Sequence, residues 1–544
     1  MGGVICKGND RRKNQDIKEV NNNNIQETLN IPQKEITNLN SNGILINSET
    51  KKQKYEKKIS SNKVTIDTNL LVAKSSINIK NNYKRTRILG QGSFGTVYLV
   101  RHKQLNTYFA MKIIKKAKGN ESDEVLMNEI NILRKMDHPH IVKINDFYTT
   151  CSEYILVTEY CPEGELFYEI KSSAPFNEAL AGWYMKQIFS AVCYCHKLKI
   201  IHRDLKPENI LIYQKNKNGF NIIKIIDFGT AVFFNKNLKE KSRAGSIYYI
   251  SPEILSKKKN YTEKCDMWSC GVIMYILLTG QPPFNGNSDE KIIKKISDGK
   301  FDMEKYPWPI ISNHAKDLVK KLLEVDDQKR ISAEEALKHP WFESKEVKSE
   351  NNEGLLEVKN PNQLLNNIIN YKSDNILRSA VFAYLVHNNI QLSFVHEAIK
   401  LFNKIDLNGD GQISKEELSQ GLQAYLKLTG NDLKNKVDII FKNIDTDHNG
   451  YIEYEEFIRA AIDKEYFLSD NFLRFAFDYF DRNKNGTISF NEIKQVFFQN
   501  DKNRRSKEVQ NQLSKNFQEL DINGDGVLTF DEFTEMARKI LSND

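Results

Sequence analysis

The sequence predicts a two-lobed α+β domain followed by an all-α array, and three observations carry that prediction. A β-rich stretch over residues 87–98 surrounds a glycine-rich turn, and residues 108–114 read as another strand. From about residue 180 to residue 341 the apolar spacing is mostly helical, with turn signals between segments. From Ala398 onward one pattern recurs four times: a Phe, an Asp four residues later, a Gly, then a Glu followed by an apolar residue. The Phe positions are Phe402, Phe441, Phe477 and Phe517. The period, about 40 residues, suits a solenoid or an array. The content of the repeat decides for an array of helix–loop–helix units.

Composition bounds the rest. A chain of 544 residues suggests three or four folded units, and 40% hydrophobic residues are enough for sizeable cores. The seven cysteines (Cys6, Cys151, Cys161, Cys193, Cys195, Cys265 and Cys270) form no metal-like cluster, which fits a reducing, cytoplasmic compartment. No apolar run approaches the roughly 20 residues that span a bilayer, and no secretory segment follows Met1. The formal charge of +8 is dispersed among nearly as many acids, so no nucleic-acid partner is expected. Residues 1–82 are rich in Asn and Lys, with a run at 21–24, and cannot bury enough apolar surface to offset their ordering entropy. A disordered N-terminal extension is expected there.

The glycine-rich turn is Leu89, Gly90, Gln91, Gly92, Ser93, Phe94, Gly95, Thr96 and Val97. Glycines let a backbone approach phosphates without Cβ clashes, but a flexible hairpin needs them too. Here Lys112 follows in a strand and Glu129 in a helical stretch, a pair that would orient the lysine toward nucleotide phosphates. The strongest signal is the run His202, Arg203, Asp204, Leu205, Lys206, Pro207, Glu208, Asn209, followed by Asp227, Phe228 and Gly229. Any one of these acids alone reads as a surface ion pair; the ordered set does not.

On these residues the chain resembles the eukaryotic protein kinases. The resemblance implies an α+β bilobal protein kinase fold over residues 83–342. It implies ATP as co-substrate, Mg2+ as metal and proteins as substrates. Asp204 matches the base that accepts the substrate hydroxyl proton, and Asn209 and Asp227 match the magnesium ligands. Lys206 is typical of serine/threonine kinases. Thr158 falls at the gatekeeper position, the backbone from Glu159 to Cys161 would hold adenine, and Glu165 would hold ribose or a substrate arginine, with Glu208 as a second candidate for the arginine. Ser251, Pro252 and Glu253 stand at the Ala-Pro-Glu position, with Glu253 expected to pair with buried Arg330. Asp266 to Gly271 look like the central helix of the large lobe. Two departures stand out. Ser246 replaces the usual Thr before Tyr249, and residues 231–244 hold no threonine at the usual activation-loop site. Glu240 supplies a fixed negative charge there, with Ser242 as a rival phosphosite.

The repeats satisfy the calcium-loop pattern of alternating oxygen side chains, a Gly at the sixth position and a Glu at the twelfth. Loop 1 offers Asp406, Asn408, Asp410, Gln412 and Glu417; loop 2 offers Asp445, Asp447, Asn449, Tyr451 and Glu456. Loop 3 offers Asp481, Asn483, Asn485, Thr487 and Glu492; loop 4 offers Asp521, Asn523, Asp525, Val527 and Glu532. The seventh position contributes its backbone carbonyl, and the twelfth two oxygens at once. The apolar eighth residues, Ile413, Ile452, Ile488 and Leu528, would pair loops through short strands. Four matches in tandem are not polar turns. They predict an all-α EF-hand, calmodulin-like domain binding Ca2+, with pairs over residues 397–463 and 464–544.

Kinase, junction and four EF-hands in this order resemble the calcium-dependent protein kinases of plants and protists, from about residue 83 to 544. That resemblance implies that the junction, residues 343–396, holds the kinase inactive until calcium reshapes the sensor. Asn360 and Pro361 read as a helix start. Leu364, Ile368, Leu377, Val381, Tyr384 and Leu385 give an apolar face, interrupted at residues 373–375, which leaves room for two helices. Lys372 and Arg378 are there, but the dense basic cluster of a pseudosubstrate is not. A pseudokinase scaffold would have lost one of Lys112, Asp204, Asn209 or Asp227, and a kinase controlled by separate calmodulin would lack the loops.

Gly2 after the initiator Met resembles a myristoylation signal, although Cys6 stands where Ser or Thr is usual. Cys6 is itself a palmitoylation candidate, and Lys7, Arg11, Arg12 and Lys13 could meet anionic lipid. Peripheral membrane association through this end and a monomeric chain are the expectations. Loop 3 carries only two ligand carboxylates, with Lys484 between them, and is expected to bind calcium most weakly. Calorimetry on single-loop Glu-to-Gln variants checks this: losing Glu492 should remove the weakest event, and a tightest-binding loop 3 would refute the ranking.

Overall fold

The small lobe grows from period-two burial. In the strand Tyr108–Lys115 (β4), Phe109, Met111 and Ile113 are buried while their neighbours are exposed or half-buried, as in a sheet with one face on a core. The computed structural model describes residues 74–75, 79–92, 95–116, 120–215, 219–234, 247–256, 262–348, 358–372, 376–389, 395–498 and 507–541. Gly2, Cys6, Ser93, Phe94, Glu240, Ser242 and Ser246 lie outside the described residues, as does nearly all of the segment expected to be disordered.

Around β4 the sheet holds Lys74–Ser75 (β1), Tyr83–Gly92 (β2), Gly95–His102 (β3), Ile144–Thr149 (β5) and Glu153–Glu159 (β6). The spatial order is β1-β5-β6-β4-β3-β2. Every pair is antiparallel except β1 with β5. Helix Asn120–Lys135 (α1) joins β4 to β5. In the large lobe Glu178–Lys197 (α2) starts at Asn177, whose side chain accepts from Leu180 N at 2.8 Å. It lies against Lys264–Thr279 (α3), which is buried on all sides from Cys265 to Leu278, where every residue but Asp266 is apolar, aromatic or small. The strand pairs Ile200–Ile201 (β7) with Val232–Phe233 (β10), and Ile210–Gln214 (β8) with Ile222–Ile225 (β9), bracket the catalytic segments.

Two junction helices follow, Pro361–Asn370 (α4) and Ile376–Asn389 (α5). Asn360 stands at the N-cap as its sequence position predicts, but its side chain makes no capping bond; the proline at the first helical position marks the start. In α5 the residues Leu377, Ala380, Val381, Phe382, Ala383, Tyr384, Leu385 and Val386 are all buried. The helix is therefore covered on every side rather than along one face. The eight sensor helices are His396–Ile405 (α6), Lys415–Leu426 (α7), Gly430–Ile444 (α8), Tyr454–Ala461 (α9), Asp470–Phe480 (α10), Phe490–Phe498 (α11), Lys507–Leu520 (α12) and Phe530–Leu541 (α13). Helix α5 touches α9, α10, α12 and α13, so both EF-hand pairs and the junction share one apolar core.

This second core abuts the small lobe. His102 of β3 meets Phe475 edge-on, with ring centres 5.1 Å apart. Gln104 hydrogen-bonds Asp478. Burial pushes the His102 imidazole down to about 4, and its Nδ1 accepts from Leu105 N. A histidine held neutral contributes stability that is complete above its unfolded value near 6.5 and is lost as pH falls toward the folded value. The thermal midpoint should therefore drop between pH 7 and pH 5, and His102→Gln should flatten part of that slope. Equal slopes for the two proteins, followed by scanning fluorimetry, would contradict the assignment.

Candidate active site and calcium loops

Lys112 enters the interlobe cleft because β4 pairs with both β3 and β6, which fixes its register. Its Nζ lies 3.3 Å from Glu129 Oε1 on α1 and 3.6 Å from Asp227 Oδ1. Burial works against the Lys112 charge, but these two carboxylates hold its pKa above the usual lysine value. Gly95, at φ +132°, brings β3 against β4 so closely that a Cβ would strike the Ile113 carbonyl. That glycine serves sheet packing as well as any approach to phosphate.

The catalytic run leaves β7 and reaches Asp204 through Arg203, whose φ is 70°. Lys206 Nζ lies 2.8 Å from Asp204 Oδ2, and Asn209 Nδ2 donates to the same oxygen at 3.0 Å and to the Asp204 carbonyl at 2.8 Å. Asp227 adopts left-handed backbone, and its side chain accepts from Gly229 N. Phe228 is buried against His202, with ring centres 4.8 Å apart. Asn128 of α1 donates to the Ala231 carbonyl at 2.8 Å, tying that helix to the segment after Asp227. The resulting cleft of about 690 Å³ is lined by Gln91, Gly95, Thr96, Lys112, Glu129, Asp204 and Asp227 among others, all from the two N-terminal lobes.

Other sequence candidates take different places. The Glu159 side chain is buried, 2.8 Å from Lys224 Nζ and 2.8 Å from Lys143 N, so only its backbone is offered to a nucleotide. Cys161 is buried, which pushes its thiol pKa up. Glu165 pairs with Leu211 as an isolated bridge; partial burial and the nearby Glu208 charge push its carboxyl up. Leu89 and Val97 sit in β2 and β3. Glu253 and Arg330 form the expected buried pair, with bonds of 2.7 and 2.9 Å. Arg330 also donates to the Glu324 and Lys264 carbonyls.

Sequence reading missed the anchor of this loop. Asp266, buried on α3, accepts from His202 N and Arg203 N, each at 2.9 Å, and from His196 at 3.0 Å. Burial pushes its carboxyl up, but the bonds from His196 and His202 outweigh that and hold it below the usual range.

The four calcium loops share one geometry. In each, the first Asp accepts from the amide of the sixth-position Gly: Gly411 at 2.8 Å, Gly450 at 3.1 Å, Gly486 at 2.9 Å and Gly526 at 2.8 Å. Each terminal Glu turns back into its loop: Glu417 accepts from Asn408 N, Glu456 from Thr446 N, Glu492 from Asn483 N and Glu532 from Asn523 N. The eighth residues pair as short strands, Ile413 opposite Ile452 and Ile488 opposite Leu528. Residues Gln412, Tyr451, Thr487 and Val527 stand at the seventh positions, and each donates its backbone amide to the side-chain oxygen of the fifth. The donor set fits calcium: it is all oxygen, and oxygens of Asp445, Asp447 and Glu456 lie within 4.8 Å of one another. Burial and the Asp410 charge push Asp406 up to about 7. Such crowding of acids is relieved by a cation.

Loop 1 also touches the N-terminal domain. Its Gly411, at φ +81°, lies where a Cβ would run into the His138 ring. Beside it, Lys143 pairs with Glu455 and lies 3.4 Å from Asp137, while the Glu455 amide donates to Asp137 at 2.8 Å. His387 of α5 reaches Glu455 Oε1 and the Ile144 carbonyl, each at 3.0 Å.

A lysine, a helix glutamate and two acids converging between a β-rich and a helical lobe define a protein kinase. The protein kinase domain model matches residues 83–342, and the EF-hand domain pair model matches residues 397–462 and 470–538. The chain is 39% identical to calcium-dependent protein kinase 4 of Plasmodium falciparum (isolate 3D7), covering 87% of this chain and 89% of the relative. It is 37% identical to calcium-dependent protein kinase 3 of Plasmodium berghei (strain Anka), covering 83% and 79%. The chain belongs to the calcium-dependent protein kinase family: it is a calcium-regulated serine/threonine kinase that acts on proteins with ATP and a divalent metal.

The Glu253–Arg330 pair generates a direct test of the large lobe. Glu253→Ala leaves the Arg330 charge buried without its carboxylate and should cost about 3–5 kcal/mol. Denaturant unfolding measures it, and a loss below about 1 kcal/mol, the scale of an exposed pair, would refute the assigned weight.

Proposed function

We propose that this kinase transfers the ATP γ-phosphate to Ser or Thr beside basic residues, and that its junction blocks catalysis until calcium fills the EF-hands. The observation that carries the catalytic part is the bonding of Lys206 and Asn209 to one oxygen of Asp204. Asp204 then takes the proton from the substrate hydroxyl. Lys112, oriented by Glu129, binds the nucleotide phosphates, and Asn209 and Asp227 hold Mg2+. Bound Mg2+ supplies positive charge against the phosphate oxygens.

The basic preference rests on the proximity of Glu165 and Glu208. Partial burial and the Glu208 charge disfavour ionisation of Glu165, and an arginine of the substrate would relieve that. The regulatory part rests on α5. A helix whose apolar residues pack against helices of both EF-hand pairs needs that groove open, and calcium is what opens such grooves. Without it, α5 must cover its apolar surface elsewhere, and the kinase is the nearest partner. Acylation of Gly2, reinforced at Cys6, would add membrane contact to a monomeric, cytoplasmic enzyme; one acyl chain alone holds only marginally.

A transfer assay from ATP to an arginine-containing serine peptide, with and without chelator, tests the whole reading. Activity should need calcium and should fall by about 10³-fold or more in Asp204→Asn. Truncation after Phe342 should give activity that ignores the chelator. Retained activity in Asp204→Asn would overturn the catalytic assignment, an unchanged calcium requirement after truncation would overturn junction autoinhibition, and indifference to peptide arginine would overturn the basic preference.

A further inference from the structure

Asp410, at the fifth position of loop 1, is buried and pairs through Oδ2 with Lys197 Nζ. Lys197 is the last residue of α2, in the large lobe of the kinase, 213 positions away in sequence. The same ammonium lies 5.8 Å from the ring centre of Tyr451, at the seventh position of loop 2. The neighbouring kinase residues Lys186 and His138 lie against Gly409 and Gly411 of loop 1. A ligand carboxylate of loop 1 is thus already paired with a positive charge that belongs to the enzyme it regulates.

We propose that Lys197 is a tethered cation that competes with calcium for loop 1. The inference rests on the reading of loop 1 as a calcium site, and asks what the kinase does to it. Calcium at this loop must share Asp410 with an ammonium, and the two positive charges repel. The carboxylate is buried, so solvent screens that repulsion poorly. Loop 1 brings three carboxylates to ligand positions (Asp406, Asp410 and Glu417), against two in loop 3. Lys197 cancels that advantage for as long as the sensor is docked in this way. Coupling of this kind is reciprocal: calcium in loop 1 weakens the grip of Lys197 by the same factor by which Lys197 weakens calcium. Calcium loading of loop 1 therefore loosens the contact between loop 1 and α2.

The test uses the full chain with Glu456→Gln, Glu492→Gln and Glu532→Gln, so that loop 1 alone reports in a calorimetric titration with calcium chloride. Adding Lys197→Gln should tighten binding by about fivefold or more. Lys197→Arg keeps the charge and should leave the affinity near that of the parent. Equal affinities in the parent and Lys197→Gln would overturn the proposal while leaving loop 1 a calcium site. The absence of any binding that Glu417→Gln can abolish, in both proteins, would remove the calcium reading of loop 1 and the proposal with it.

Discussion

Asp266 accepts hydrogen bonds from two consecutive backbone amides, those of His202 and Arg203, and the catalytic loop takes its shape from that grip. Arg203 sits in left-handed backbone, which costs a non-glycine residue about 1–3 kcal/mol unless its surroundings impose it. The surroundings are rigid: Asp266 belongs to a helix buried on all sides, and His196 fixes the same carboxylate from α2. From Arg203 the chain emerges with Asp204 placed between Lys206 and Asn209. The Asp204 carboxylate is thus positioned from behind, by the core of the large lobe.

The other organising contact centres on Lys143, the residue before β5. Lys143 reaches two regions at once. Its amide donates to Glu159, at the end of the strand that leads to the nucleotide-facing backbone, and its ammonium pairs with Glu455 of the sensor. His387 closes the arrangement from the junction, touching both Glu455 and the carbonyl of Ile144. Junction, sensor and kinase therefore meet within a few residues. Glu455 is the neighbour of Glu456, the terminal ligand of loop 2.

Much of the fold and of both sites was legible because it is written in local spacing. The order of Lys112, Glu129, Asp204, Asn209 and Asp227, and the twelve-residue calcium loops, are short-range patterns with a chemical reason for each position. The strand pairing of Ile413 with Ile452 followed from the eighth position alone. What stayed hidden joins residues far apart in the chain. Lys197 at a helix end reads as a solvated lysine, and Lys143, Glu455 and His387 share no periodicity. Lys224, buried against Glu159, looks like any charge on a strand. The helix start at Asn360 and Pro361 was legible, although the Asn360 side chain makes no capping bond there. The all-round burial of α5 could not be read from its own pattern, because α9, α10, α12 and α13, which pack on it, lie far downstream in the chain.

The glycine of loop 1 differs from its three counterparts in how freely it can drift. At Gly450, Gly486 and Gly526 no atom within 4 Å would meet an added Cβ, so a replacement there would strain only the turn. At Gly411 the same replacement would also push against His138 and lift the loop off the kinase. One position thus answers to two selective pressures, one from the ion and one from the partner domain. Among chains that share this docking, residue 411 should be the slowest of the four to change, and loss of that glycine would mark lineages in which loop 1 no longer rests on the kinase.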